Sequence, residues 1–290
     1  MGIYDRDYAR SQGQFHQVRR QQGNSLSVTK WLIMICVGIF VIDPFLNFRL
    51  REWLHLSTDH AIWGVEYWRF IGFQFLHGSL QHLVFNMIGL YFFGPLVEQY
   101  LGGKRYLAFY LLCGIFGAVL YLILNLAGYV LGDLPGLLFN DIETPMVGAS
   151  AGIFGILLAG AYLAPKVTVL LFFIIPMRLS TLAYVLVSIA VLTIFFGGEG
   201  SNKGGEAAHL GGAIAGWYFI RNPHHLNGFF DFLGKADPTS KHFAFKQRRH
   251  SQDNVDKILD KIHRNGLQSL TSKEKRILHE ASKQQKEEEQ

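Results

Sequence analysis

The sequence predicts an all-α membrane protein, a bundle of six transmembrane helices with cytoplasmic N- and C-terminal tails. Three observations carry that expectation. Half of the 290 residues are hydrophobic and the mean hydropathy is +0.19, values that suit neither a disordered chain nor a soluble domain with a polar surface. The apolar residues gather between Trp31 and Ile220 in blocks separated by short polar or Gly/Pro-containing stretches, while both ends are polar and charged. The basic residues fall mainly on alternate connections, as a multi-pass topology requires.

Residues 1–28 are Gln/Arg-rich without periodicity and read as a cytoplasmic tail. With Asp5 and Asp7 and no apolar run before Trp31, this end does not read as a cleavable signal peptide. A span needs about 20 mainly apolar residues. The first block, near 28–46, is the weakest, because its clean run ends at Asp43-Pro44. The second lies near 80–101, the third near 105–127 and the fourth near 146–164. Residues 166–197 are too long for one straight span and too short for two. Pro176 and Arg178 break them, so Leu179–Phe196 is read as the fifth span and 166–177 as an apolar connection at the membrane surface. The sixth block lies near 206–221. Together 29–222 form the membrane domain, 223–252 a linker and 253–286 a small helical hairpin. In that hairpin Val255, Ile258, Leu259 and Ile262 fall at helical spacing, Asn265-Gly266 marks a turn, and Thr271 with Glu274 has the form of a capping box.

Charge orients the bundle. Arg6, Arg10, Arg19, Arg20 and Lys30, then Lys104 and Arg105, then Lys166 and Arg178, then Arg221 and the lysines after it all fall on one side. The connection between spans three and four carries Asp133, Asp141 and Glu143 with no Lys or Arg. The positive-inside rule places both termini in the cytoplasm of a multi-pass protein of the cell membrane. The 47–79 connection lies outside on this reading, and its Trp53, Trp63 and Trp68 suit an interfacial segment. The net charge of +5 is that of cationic flanks facing a lipid bilayer, not of a nucleic-acid binder, since no basic stripe interleaves with aromatics. Cys36 and Cys113, both inside apolar blocks, behave as small buried hydrophobes and imply neither a disulfide framework nor a metal site.

Polar and ionisable residues inside a membrane block are costly, so each needs a reason. His82 and Asn86 lie early in span two with His77 just before it, Ser150 starts span four, and His209 starts span six. Singly, each has a bland reading: a serine bonding back to the preceding turn, or a His or Asn fixing a helix interface. Spans two, four and six all run inward, however, so their first turns share the outer face. His209, Gly212 and Gly216 share one face of span six, and Ala151, Gly155 and Ala159 form a small-residue stripe on span four. Two such stripes let helices approach closely, which brings a weak nucleophile within reach of a base. Neither span offers a carboxylate that obviously orients His209, and Glu206, the nearest, is expected in a loop. A Ser150–His209 dyad is the mechanism expected. Asn86, His82 and the Ser150 backbone N–H are candidate donors to the oxyanion.

These segments resemble the rhomboid family. HGSLQHLVFN (77–86) is similar to its two-His-and-Asn pattern, GASAGIFG (148–155) to its nucleophile motif, and AHLGGAIAG (208–216) to its sixth-helix signature. Trp68-Arg69 resembles the pair of its first loop, and Glu98 the acidic residue at the inner end of span two. The resemblance implies a rhomboid-like bundle without a cofactor, in which Ser150 and His209 are catalytic and His82, Asn86 and the Ser150 N–H line the oxyanion hole. It implies that Phe154 stacks on the catalytic histidine, with Gly148 within the nucleophile motif and Gly212 and Gly216 within the sixth-helix signature. Ala151 departs from the family's Gly-x-Ser-Gly pattern. The C-terminal hairpin resembles a helical domain appended to some bacterial rhomboids. The implied partners are single-pass membrane protein substrates with small residues at the cleavage site. Oligomeric state stays open. The rival readings are a non-catalytic rhomboid-like binder of membrane proteins and a small transporter. The transporter would need polar groups through the inner halves of spans two, four and six, where Leu, Ile, Phe and Gly dominate.

Overall fold

The computed structural model describes residues 27–132, 139–171, 174–198 and 200–230, with Ile258, Lys261, Ile262, Thr271 and Glu274 beyond them. The N-terminal tail and most of the linker and hairpin lie outside these residues. The chain divides into two units, Met1–Leu226 and Asn227–Gln290.

In the first unit, α1 (Val28–Ile42) opens where Ser27 accepts a bond from the Lys30 N–H. Its remaining first-turn donors meet a carboxylate remote in sequence. Glu98 accepts from Val28 N at 2.7 Å, Thr29 N at 3.0 Å and the Thr29 hydroxyl at 2.6 Å. Glu98 therefore ties the last turn of α4 (Leu80–Leu101) to the first turn of α1, satisfying N–H groups that a helix start leaves unpaired. Asp43 and Pro44 carry α1 on into one tighter turn to Leu46, and Asp43 accepts from the Leu50 and Arg51 N–H groups to start α2 (Arg49–Leu54).

The long 47–79 connection is braced from within. α3 (Arg69–Gly72) begins with a buried arginine. Arg69 donates to the Glu66 carboxylate at 2.5 Å and to the carbonyls of Glu52 and His55 at 2.8 and 2.7 Å. Trp68 donates its indole N–H to the Trp53 carbonyl at 3.0 Å, and the two rings lie 5.7 Å apart. Ser79 then caps α4 by accepting from the His82 N–H. A single glycine with φ +77°, Gly102, turns α4 into α5 (Gly103–Leu131). The third predicted block, near 105–127, is therefore longer at both ends than its apolar run suggested.

Two further expectations are corrected. The fourth block was placed near 146–164, but α6 runs Ser150–Leu163. Its first four residues are drawn off by tertiary contacts. Met146 pairs with Leu56 through two backbone hydrogen bonds of 2.6 and 3.1 Å, and Gly148 sits at φ +137°, outside helical space. The all-α reading is corrected by an antiparallel hairpin, β1 (Thr168–Leu171) with β2 (Ile175–Arg178), in register Thr168↔Arg178 to Leu171↔Ile175. Val167, Thr168, Val169 and Ile175 favour extended backbone, and Pro176 is tolerated because a two-stranded ribbon has only edges. α7 (Leu179–Phe196) matches the predicted fifth span. α8 (Lys203–Arg221) starts earlier than the predicted sixth block because Asn202 caps it, accepting from Gly205 N at 3.0 Å.

Among the described residues, four helical stretches are long and apolar enough to cross a membrane: Val28–Leu46, α4, α5 and α7. α6 falls short in length, at 14 residues or about 21 Å, and α8 carries Lys203, Glu206 and Arg221.

α8 packs along both α5 and α6 at backbone distance. A methyl group at Gly211 would sit 2.9 Å from Gly117 Cα of α5. At Gly212 it would sit 2.7 Å from the Ala151 carbonyl carbon of α6, and at Gly216 2.7 Å from that of Gly155. Only hydrogen fits there. Asn125, fully buried in α5, holds together the connections that carry Thr58, Phe139 and Asp141: it receives the Thr58 hydroxyl and donates to the carbonyls of Phe139 and Asp141 at 3.0 and 3.1 Å.

In the second unit Thr271 and Glu274 bond reciprocally. Glu274 accepts from Thr271 N at 2.8 Å, and Thr271 Oγ1 accepts from Glu274 N at 3.3 Å. Lys261 adds an ion pair to Glu274 at 2.9 Å. Apart from Ile258 and Ile262, the remaining hairpin residues lie outside the described set.

Candidate active site

Ser150 occupies the first position of α6, after Ala149 and two residues past Gly148, a glycine whose conformation is imposed by its neighbours. Gly148 at φ +137° donates its N–H to the Phe73 carbonyl at 3.0 Å, and a methyl group on it would meet the His82 ring at 2.8–2.9 Å. The glycine thus lets the 146–149 strand-like segment cross in front of His82. His82 belongs to the first turn of α4, so the turn before the serine and the start of α4 meet through that glycine.

His209 lies in the second turn of α8. Its ring is parallel to that of Phe154, one turn after Ser150, with centroids 4.2 Å apart and planes 6° apart. Two close seams, Gly212 on Ala151 and Gly216 on Gly155, hold α8 against α6. Ser150, His209, His82, Asn86, Phe154 and Gly148 all line one cavity of about 1430 Å³. Apolar residues of α4, α6, α7 and the hairpin form much of its wall, among them Phe85, Phe92, Leu157, Val169 and Leu186. No hydrogen bond joins Ser150 Oγ to His209 among the described residues. A separation of this kind is common in unliganded sites, where catalytic contacts tighten when substrate docks.

Asn86 is buried and donates one amide hydrogen to the His82 carbonyl at 2.9 Å, leaving the second unassigned. The Ser150 N–H, at the head of its helix, has no partner in its own helix. Trp68, Arg69 and His77 do not line the cavity. Trp68 and Arg69 brace the 47–79 connection, and the His77 carbonyl accepts from Arg51 at 3.1 Å. His77 itself is buried with neither ring nitrogen bonded among the described residues. Burial, reinforced by the neighbouring His82, lowers its pKa to about 4.

Glu206 is not in a loop. It sits in the first turn of α8, and its Oε2 lies 2.9 Å from His209 Nδ1. The expectation that no carboxylate reaches the histidine is corrected. The Glu-Ala-Ala-His spacing, three residues apart on one helix, was the signal that could have found it, once Asn202 was taken as the cap. Asn125 was also passed over, although an asparagine within an apolar run is as conspicuous as Asn86. Among the described residues no group of three His, Cys, Asp or Glu side chains stands at metal-ligating distance.

A family model described as the rhomboid domain matches residues 64–221, and a family of unknown function (DUF6576) matches 245–284. RHOMBOID-like protein 12, mitochondrial, of Arabidopsis thaliana is 33% identical over 199 residues, covering 66% of this chain and 57% of that protein. Rhomboid protease GluP of Bacillus subtilis is 31% identical over 153 residues, covering 53% of this chain and 25% of that protein. Rhomboid protein 1, mitochondrial, of Saccharomyces cerevisiae is 27% identical over 250 residues, covering 72% of this chain and 68% of that protein. The chain thus spans little more than half the length of the first of these relatives and a quarter of the second. With the family model covering more than half its residues, the chain belongs to the rhomboid family.

Proposed function

We propose that this chain is an intramembrane serine endopeptidase that cleaves single-pass membrane proteins in or near their transmembrane segments. Ser150 Oγ attacks the scissile carbonyl carbon as His209 takes its proton. The carbonyl oxygen, now an anion, is received by Asn86, His82 and the Ser150 N–H. His209 returns the proton to the leaving amine, and water then releases the acyl group from Ser150 by the same steps reversed in role. Rhomboid relatives include proteases, which supports intramembrane proteolysis at the level of the family. The observation that carries the assignment to these residues is the shared cavity, where Ser150 heads α6 and His209 lies flat on Phe154 of the same helix.

On this reading α1, α4, α5, α6, α7 and α8 are the six spans. The short α6 supports a serine recessed from the membrane surface, in a cavity that water enters from the outer face. The charge asymmetry of the connections supports cytoplasmic termini in a cell membrane, and 29–222 is the catalytic domain, with the hairpin near 253–286 an appendage. The test is cleavage of a transmembrane substrate in proteoliposomes by wild type and Ser150→Ala. Loss of cleavage in the variant, with folding and insertion intact, is expected. Retained cleavage overturns the assignment, and a wild type that neither cleaves nor reacts with a serine-directed probe points to a non-catalytic binder.

A further inference from the structure

We infer that Glu206 is the positioning residue of His209, acting from behind the reacting pair of Ser150 and His209; this rests on the protease reading above. The two side chains share one face of α8. Glu206 Oε2 lies 2.9 Å from Nδ1, and the side chains are 20% and 17% exposed. The flat side of the imidazole is held by Phe154 at 4.2 Å. Stacking fixes the plane of the ring, and the carboxylate fixes its rotation within that plane.

The chemistry follows from what a carboxylate can do. It accepts hydrogen bonds and donates none, so the neutral ring carries its hydrogen on Nδ1 and its lone pair on Nε2. That tautomer is the one able to receive a proton from Ser150. As the Oγ–C bond forms, the proton passes to Nε2 and the carbonyl electron pair moves onto the oxygen. The ring becomes imidazolium, with the Glu206 charge beside it, and then gives the same proton to the departing amine nitrogen. Glu206 stays ionised throughout. The other groups facing the ring are Phe154 and, across the cavity, His82.

A purely structural role for the carboxylate is separable from this one. The start of α8 is held without it, since the Asn202 side chain accepts from Gly205 N and the Asn202 carbonyl from Glu206 N, both at 3.0 Å.

The experiment uses the full chain in proteoliposomes: wild type, Glu206→Ala, Glu206→Gln and Glu206→Asp, with Ser150→Ala as the blank. Glu206→Ala is expected to lower kcat by roughly 10- to 100-fold with KM unchanged, because orientation of the base and not substrate binding is lost. Glu206→Asp restores part of that loss. Nitrogen NMR of the His209 ring reads the Nδ1–H tautomer in wild type and a mixture in Glu206→Ala. Should the alanine variant not fold, Glu206→Gln, of the same shape, carries the kinetic comparison. Wild-type kcat in both Ala and Gln variants, or an unchanged tautomer in Glu206→Ala, overturns the inference. Cleavage by Ser150→Ala at the wild-type rate would instead sink the protease reading, while the tautomer measurement still tests the Glu206–His209 contact.

Discussion

Replacing Gly212 with alanine tests whether backbone contact between α8 and α6 sets the rate. The new methyl group would sit 2.7 Å from the Ala151 carbonyl carbon and 3.0 Å from its Cα. Carbon atoms at rest stand about 3.5–4.0 Å apart, so the helices must part by about 1 Å. Neither obstacle is a flexible side chain that could swing aside. Ser150 is the residue before Ala151, and His209 lies less than a turn from Gly212, so the separation falls directly between the proposed nucleophile and its proposed base. A misplacement of about 1 Å costs on the order of 10² in rate, close to 3 kcal/mol of barrier. The overpacking itself costs about 1–3 kcal/mol of stability. The assay is turnover of a transmembrane substrate in proteoliposomes, normalised to the folded fraction from thermal unfolding. Gly38→Ala is the control, because a methyl group there meets nothing within 4 Å. Wild-type turnover by a folded Gly212→Ala protein would refute the claim that this seam positions Ser150 against His209.

Three other outcomes are expected. Asn86→Ala should lower kcat by roughly 10²- to 10³-fold with little change in KM, and an equal rise in KM alone would remove Asn86 from the oxyanion hole. His77 has a folded pKa lowered from 6.5 to about 4, so the unfolded chain binds more protons between those values. Its contribution is complete above pH 6.5 and is lost as pH falls toward 4, to a limit of roughly 3 kcal/mol. Unfolding of His77→Gln across that window should show a shallower slope than wild type, and parallel curves would contradict the assignment. Glu274 is held down to about 2, first by the Thr271 backbone N–H and then by Lys261. The stability it confers is present above the usual carboxylate range and lost as pH falls through about 2. Thr271→Ala should move the Glu274 carboxyl titration upward by NMR, and an unmoved titration would show that the capping box does not hold it.

What the sequence disclosed depended on whether the cause was local. Leu80–Leu101 and Leu179–Phe196 were legible because mainly apolar runs end at Ser79, Gly102 and Arg178, signals lying within a few residues of each boundary. The Thr271/Glu274 box was legible for the same reason. The start of α6 was not, because the residues that keep 146–149 out of the helix are Leu56, Phe73 and His82, all more than 60 positions away. The β-hairpin was hidden by an apolar composition that helix and strand share. Glu206 was misplaced by an error of three residues in a helix boundary, enough to move a carboxylate from a helix face to a loop.

The helix starts differ in a way that bears on the chemistry. α1, α4 and α8 each open on a side-chain cap, from Ser27, Ser79 and Asn202. α5, α6 and α7 do not. In α5 and α7 the first turn carries an exposed residue, Lys104 or Thr181, whereas Ser150 is half-buried and Ala151, Gly152 and Ile153 are buried. Donors left open at a buried helix start are costly away from water. On the proposed mechanism, the cavity against which α6 starts offers such donors a partner in the substrate's carbonyl oxygen. An anionic oxygen is a better partner than water for N–H groups at the positive end of a helix. The missing cap on α6 is therefore consistent with stabilisation that grows as charge develops on the substrate, the difference on which rate acceleration depends.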